Sequence, residues 1–312
     1  MTARCFLRLT ITAMWLVGQG APLPKNSASM EQVAFSTGLQ EDVIRLGEPL
    51  LLTCVVRNST TDTQYIPIDT PKGLLLSSTV TYMLRDASGN VFFARPWSAL
   101  LATWMSEACR QVAPGDSYYW HQLLPLEHFV GPQGAFEPMA GEYALITTVH
   151  FPEFTPASEF ACPGQAVILV DTLSFTLSND SQQRQYMKQF GEVLREGLWG
   201  GFIGTPPQVM NQFRELLDAA QPLSIDTSFP YVAYVLPFAL NRMKGGSPEA
   251  IEAARLFLDN YRGHVLAEEM SFDMWDFMGR LGWHGTQDSL GRVLLIDFPR
   301  NARAACLRQT KP

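Results

Sequence analysis

The chain has 312 residues, of which 46% are hydrophobic and 17% charged, and a formal net charge of −7. That balance permits buried cores and excludes global disorder, and the length points to two domains rather than one small core. No polybasic block is present, which excludes nucleic acid as a partner class, because such binding draws on Lys and Arg neutralising phosphates.

Residues 1–20 read as a signal peptide. Arg4 and Arg8 give a positive start, Leu9 to Val17 form a short apolar core, and Gly18-Gln-Gly20 offers small residues before Ala21. The alternative is an uncleaved anchor, which the shortness of the apolar run disfavours. The chain is therefore expected to be exported, either secreted or periplasmic. Residues 21–29 are a Pro/Ser/Asn linker.

Export permits disulfides, and Cys54, Cys109, Cys162 and Cys306 allow three full pairings. Cys109 and Cys162 lie at loop-to-strand junctions of the same half and form the preferred pair. Cys54 reads as a buried small hydrophobe and Cys306 as free. No Cys-x-x-Cys occurs, which disfavours a redox motif or zinc knuckle.

Residues 30–178 carry recurring strand signals with turns between them, the pattern of a β-sandwich. Val33–Thr37 and Asp42–Leu46 come first. Leu50–Arg57 follows, with Leu50, Leu52, Cys54 and Val56 on one apolar face that needs a second sheet to cover it. Gln64–Ile68 contains Pro67 and belongs at an edge. Ser78–Arg85 and Val91–Arg95 form a hairpin around Asp86-Ala-Ser-Gly-Asn90. Val112–Trp120 is a turn entering a strand, and Gly141–Val149 alternates Tyr143, Leu145, Thr147 and Val149 on one side. Tyr143, two residues after a turn glycine, resembles the tyrosine corner of Greek-key sandwiches. Gln165–Val170 and Thr172–Leu177 close the half.

Gly47-Glu-Pro49, Arg57-Asn58, Ala113-Pro-Gly-Asp-Ser117 and Gly141-Glu-Tyr143, in this order, resemble exported bacterial immunoglobulin-like sandwich domains. The layout is also similar to proteinase-inhibitor-like domains of the BsuPI type. The resemblance implies an Ig-like antiparallel sandwich and a tendency to bind, not a reaction. It transfers no inhibitory loop residue.

Residues 179–312 change to a helical period. Cap residues Ser178-Asn-Asp-Ser181 open a first helix and Thr205-Pro-Pro207 a second. A third starts at Ser228-Phe-Pro230 with a kink expected at Pro237, and a fourth at Ser247-Pro-Glu249. A fifth covers Glu268 to Leu281, with Met274, Trp275, Met278 and Leu281 inward, and the last covers Gln287–Asp297. Short Gly/Pro turns between these helices resemble the hairpins of HEAT-like α-solenoids, with a compact irregular bundle as the alternative. No repeat of fixed period is present.

For chemistry, the chain holds no Gly-x-Ser-x-Gly elbow, Walker loop, dinucleotide fingerprint or His-Glu-x-x-His run, and it calls for no cofactor. Glu268, Glu269, Asp273 and Asp276, flanked by His264 and His284, are the one acidic constellation. Asp273 and Asp276 stand three residues apart on a helix, so Glu269, Asp273, Asp276 and His284 are candidate metal ligands. The competing and preferred reading is a solvated acidic face opposite the Met274/Trp275/Met278 stripe. Trp97, Trp104, Tyr118, Tyr119 and Trp120 form a candidate aromatic binding patch, against a core role for the same rings. The reading of the whole is a two-domain β plus α protein, exported and non-enzymatic, that binds a protein or carbohydrate partner or acts as a scaffold. The alternatives are a metal-dependent hydrolase using residues 268–284, and a proteinase inhibitor.

Overall fold

The computed structural model describes residues 33–68, 80–94, 108–126, 129–132, 134–151, 167–179, 211, 215, 229–244, 247–304 and 307. Mixed β-sheets occupy the N-terminal half and helices the C-terminal part, which gives the β plus α class. The first predicted helix, all of the second except residues 211 and 215, Trp97, Trp104, Cys162 and Cys306 lie outside the described residues.

Strand β1 (Val33–Leu39), β2 (Val43–Arg45) and β3 (Leu50–Asn58) open the chain. Next come β4 (Gln64–Ile68), β5 (Val80–Asp86), β6 (Val91–Ala94), β7 (Ala108–Val112) and β8 (Ser117–Leu124). The later strands are β9 (Phe129–Gly131), β10 (Gly134–Ala135), β11 (Gly141–Phe151) and β12 (Val167–Ser178). They form a three-stranded sheet β1-β3-β8, a seven-stranded sheet β10-β9-β6-β5-β11-β12-β2, and a separate pair β4-β7. Among the described residues the proline strand β4 pairs only with β7, a placement compatible with its missing N–H.

The predicted hairpin forms with Arg85 opposite Val91. Gly89 supplies the positive φ of 85°, and the Asp86 carboxylate accepts the Asn90 N–H at 2.8 Å. Tyr143 donates its hydroxyl to the Met139 carbonyl at 3.0 Å, tying the loop ahead of its own strand. The two predicted closing strands are one continuous strand, β12. Asp171 does not break it, because its carboxylate accepts the Thr37 N–H and hydroxyl at 2.6 and 2.7 Å. That contact ties the outer edge of β1 to the larger sheet.

The apolar face of β3 behaves as its alternation requires. Leu50, Leu52, Cys54 and Val56 are fully buried and share a core with Tyr82, Leu84, Leu145 and Phe175 of the larger sheet. The opposite face of the three-stranded sheet is covered in part, at one end of β3 and β8, while β1 stays exposed there. Leu51 and Leu123 join a second core with the helices α1 (Phe229–Lys244), α2 (Pro248–Asn260) and α3 (Val265–Arg280). Helix α4 (His284–Asp297) packs beside α3, where Leu294 meets Phe272 in a third cluster. The smaller sheet is therefore a middle layer, with a sheet on one side and helices on the other.

Local signals explain most helix ends. Ser247 and Pro248 start α2. Helix α3 begins three residues ahead of its predicted start because the His264 ring caps it, accepting the Leu266 N–H at 3.2 Å. Helix α1 runs through Pro237. Past α4 the chain returns to β8: Tyr119 N–H donates to Arg300 O at 3.1 Å, and Ala302 N–H to Tyr119 O at 2.7 Å. This short parallel bridge covers the outer edge of β8, a position that would otherwise expose unpaired backbone groups. Among the described residues, no helix is long and apolar enough to cross a membrane.

Candidate functional site

Strand alternation sends neighbouring residues of β8 to opposite layers. Tyr118, Trp120 and Leu124 enter the core between the sheets, while Tyr119, His121 and Leu123 face the helices. Tyr118 and Trp120 are 1% and 5% exposed, so these two rings do not form the accessible aromatic patch expected from the sequence. They stack within the core, where Trp120 also meets Phe35. Of the described members of that group, Tyr119 is the one that reaches the other layer.

There it meets the acidic segment of α3. The Tyr119 hydroxyl donates to Glu268 Oε1 at 2.8 Å, and the His121 backbone N–H donates to Glu269 Oε1 at 3.1 Å. The Asn301 amide, delivered by the returning tail, donates to Glu268 Oε1 at 2.8 Å and to Glu269 Oε1 at 3.0 Å. Arg303 completes the arrangement. One end of its guanidinium donates to the Glu269 carbonyl at 3.1 Å and lies 3.3 Å from Glu269 Oε2; the other end is 2.7 Å from Asp273 Oδ1. Asp273 Oδ2 also accepts the Tyr234 hydroxyl of α1 at 3.1 Å, and the Arg303 guanidinium lies 5.3 Å from the Phe272 ring centroid. Sheet, two helices and tail thus converge on one buried polar seam.

Glu269 is 3% and Asp273 2% exposed, so they do not belong to a solvated acidic face. The alternative metal set does not converge either. Glu269 and Asp273 are engaged by Arg303, while His284 is exposed at the start of α4, with Nδ1 3.4 Å from Gln287 Oε1. Among the described residues, no group of three or more His, Cys, Asp or Glu side chains is arranged to hold a metal ion. Of the expected bridge, Cys109 lies in β7 opposite Pro67, while Cys162 is outside the described residues.

Burial sets the protonation chemistry of the seam. It pushes the Asp273 carboxyl up to about 6, against the downward pull of Arg303. Burial also works against the charge on Arg303, but Asp273 and Glu269 beside it hold the guanidinium firmly protonated. Glu268 is raised by burial, moderated by the Asn301 and Tyr119 hydrogen bonds. Tyr119 is raised by burial and then by its bond to Glu268. Such a set holds layers together, since each buried polar group has a partner and loses heavily if that partner goes.

A small recess of about 10 Å³, room for little more than one water, is lined by Gln40, Glu41, Ile44, Glu48, Leu51 and Tyr231. Burial, then Glu48 and Glu41, raises the Tyr231 hydroxyl. Arg303, Asn301 and Tyr234 were not singled out by sequence reasoning. The one local hint is Arg303 itself, a charge set in the small-residue run Ala302-Arg-Ala-Ala305.

No family model matches the chain, and no curated protein matches it. Among solved structures, a β-glucosidase from Listeria innocua in complex with gluconolactone is similar over 47% of this chain, at 10% identity and a TM-score of 0.27. The matched region spans 16% of that enzyme's length. Spo0M, a sporulation control protein from Bacillus subtilis, is similar over 53% of this chain and 55% of its own, at 12% identity and a TM-score of 0.28. The C-terminal domain of wzt is similar over 47% of this chain and 71% of its own, at 11% identity and a TM-score of 0.27.

Proposed function

We propose that the chain is an exported, non-enzymatic binding or scaffold protein, with an Ig-like sandwich backed by HEAT-like helical hairpins, and that its partner is a protein. The observation that carries this reading is the outer face of the seven-stranded sheet. Val130, Phe93, Met83 and Ile146 stand side by side across β9, β6, β5 and β11. Ile168 and Val170 continue the apolar character on β12, and Phe93 and Val170 remain 45% and 58% exposed. Thr81, Thr148, Thr172 and Ser174 surround them, and the charged Arg85 and Glu142 stand at one end of the same face, so an apolar centre with a polar margin is presented, suited to a protein surface. The engagement of Glu268, Glu269 and Asp273 within the seam supports a role other than catalysis.

The test is crosslinked capture from the exported fraction, using the intact chain and a Phe93→Asp, Val170→Asp variant whose circular dichroism is unchanged. A reproducible protein partner held by the first and lost by the second is expected. Identical captures from both chains would remove the binding face. A hydrolytic activity abolished by Glu268→Gln would overturn the non-enzymatic reading.

A further inference from the structure

His264 sits where the chain turns from Tyr261 into α3, and its Nδ1 accepts the Leu266 N–H at 3.2 Å. A cap acceptor needs its lone pair, so the ring serves this role only when that nitrogen is unprotonated. Protonation would turn Nδ1 into a donor facing a donor. It would also set a positive charge at the positive end of the helix.

The surroundings come from each packed element. Helix α1 contributes Tyr231, whose ring meets the imidazole edge-on at 6.0 Å, with Glu41 and Glu48 acting on the Tyr231 hydroxyl from beyond it. Strand β8 contributes His121, and α3 itself contributes Glu268 one turn on. His121 is fixed in turn: its Nδ1 lies 3.0 Å from the Thr53 hydroxyl and its Nε2 3.9 Å from Glu268 Oε2. Its ring is 5.4 Å from Tyr119, and its backbone is held by Glu269, behind which stand Arg303 and Asp273. Two imidazoles therefore share the line where sheet and helices meet. One caps a helix, and the other lies against a carboxylate.

We propose that this seam is an acid-responsive joint, in which protonation of His264 uncaps α3 and loosens the helical layer from the three-stranded sheet. Burial, and then His121, hold His264 below its ordinary value of 6.5. A group held low in this way keeps its neutral form on folding. Its contribution is complete above 6.5 and is lost as the pH falls through the lower folded value. Glu268, raised by burial, titrates in the opposite sense, so the test must isolate His264.

Amide hydrogen exchange at Leu266 and Ala267, corrected for intrinsic pH effects, separates the two. In the native chain, protection should fall roughly tenfold between about pH 7.5 and about pH 5, the size of a lost cap. His264→Asn keeps an acceptor that does not titrate, and it should show no such fall. His264→Ala should be weakly protected at both pH values. If the Asn variant does not fold, His264→Asp serves, because its acceptor stays ionised across the same window. An equal fall in the Asn or Asp variant, or no fall in the native chain, overturns the proposal.

Discussion

Arg303→Ala removes a guanidinium that faces both Glu269 and Asp273. Three contacts vanish with it, to the Glu269 carbonyl, Glu269 Oε2 and Asp273 Oδ1, together with its packing on Phe272. Two carboxylates at 3% and 2% exposure are then left close together without their cation. Breaking a buried pair from one side costs about 3–5 kcal/mol, a large part of the 5–15 kcal/mol typical of a domain. The loss should depend on pH. Arg303 pulls Asp273 down, so its removal lets burial raise the Asp273 carboxyl further above about 6. A carboxyl whose folded value exceeds its unfolded one takes up a proton on folding, so the variant regains stability as the pH falls. Urea unfolding followed by circular dichroism should give a loss near 3–5 kcal/mol at about pH 7.5 and a smaller one at about pH 5. The uncapping of α3 is common to both chains and cancels. In the double variant with Asp273→Asn, the two losses should sum to less than their separate values, because the charge left behind is gone. A loss below about 1 kcal/mol, or one unchanged by pH, would refute the view that this ion pair anchors the joint.

Asn58 is buried, its amide donating to the Asp62 and Val112 carbonyls at 2.8 Å and its oxygen accepting from Thr60. Asn58→Ala should therefore cost about 1–3 kcal/mol in thermal unfolding. Tyr143→Phe removes the bond to Met139 O and the longer one accepted from the Met139 N–H at 3.4 Å, and should cost about 1 kcal/mol in the same assay. Cys54 is fully buried, and burial pushes its thiol far up. Mass mapping should find it labelled by thiol reagents on the order of a thousandfold more slowly in the native chain than in urea, and fast native labelling would contradict its place in the core. Gly291→Ala would put a Cβ 2.9 Å from Trp275 Nε1, so it should fail to raise the melting temperature despite the helix-propensity gain of about 1 kcal/mol.

Much of the local structure was legible because its causes are local. The alternation in Leu50–Arg57 made β3 a strand, the Asp86–Asn90 residues made the hairpin turn, and Ser247-Pro248 opened α2. Tyr143 closed its corner within four residues of chain. The misreadings each involve a partner distant in sequence. Asp171 looked like the gap between two strands because Thr37, 134 residues earlier, was not visible as its donor. Glu269 and Asp273 read as solvated acids or metal ligands because the helix pattern says nothing about a tail that returns with Arg303.

The sequence by itself determined element type, turn chemistry and the β-then-α order, all of which follow from periodicity and from residues within a few positions of one another. Only the tertiary structure decided that β3 and β8 contribute to a core on each face of their sheet. It also decided that β8 divides its aromatics between two layers, and that the acids of α3 meet Tyr119 and His121 from 149 and 148 residues away. Charge and polarity are written in the chain, but whether a carboxylate ends in water or against a guanidinium depends on which surfaces the folded layers bring together.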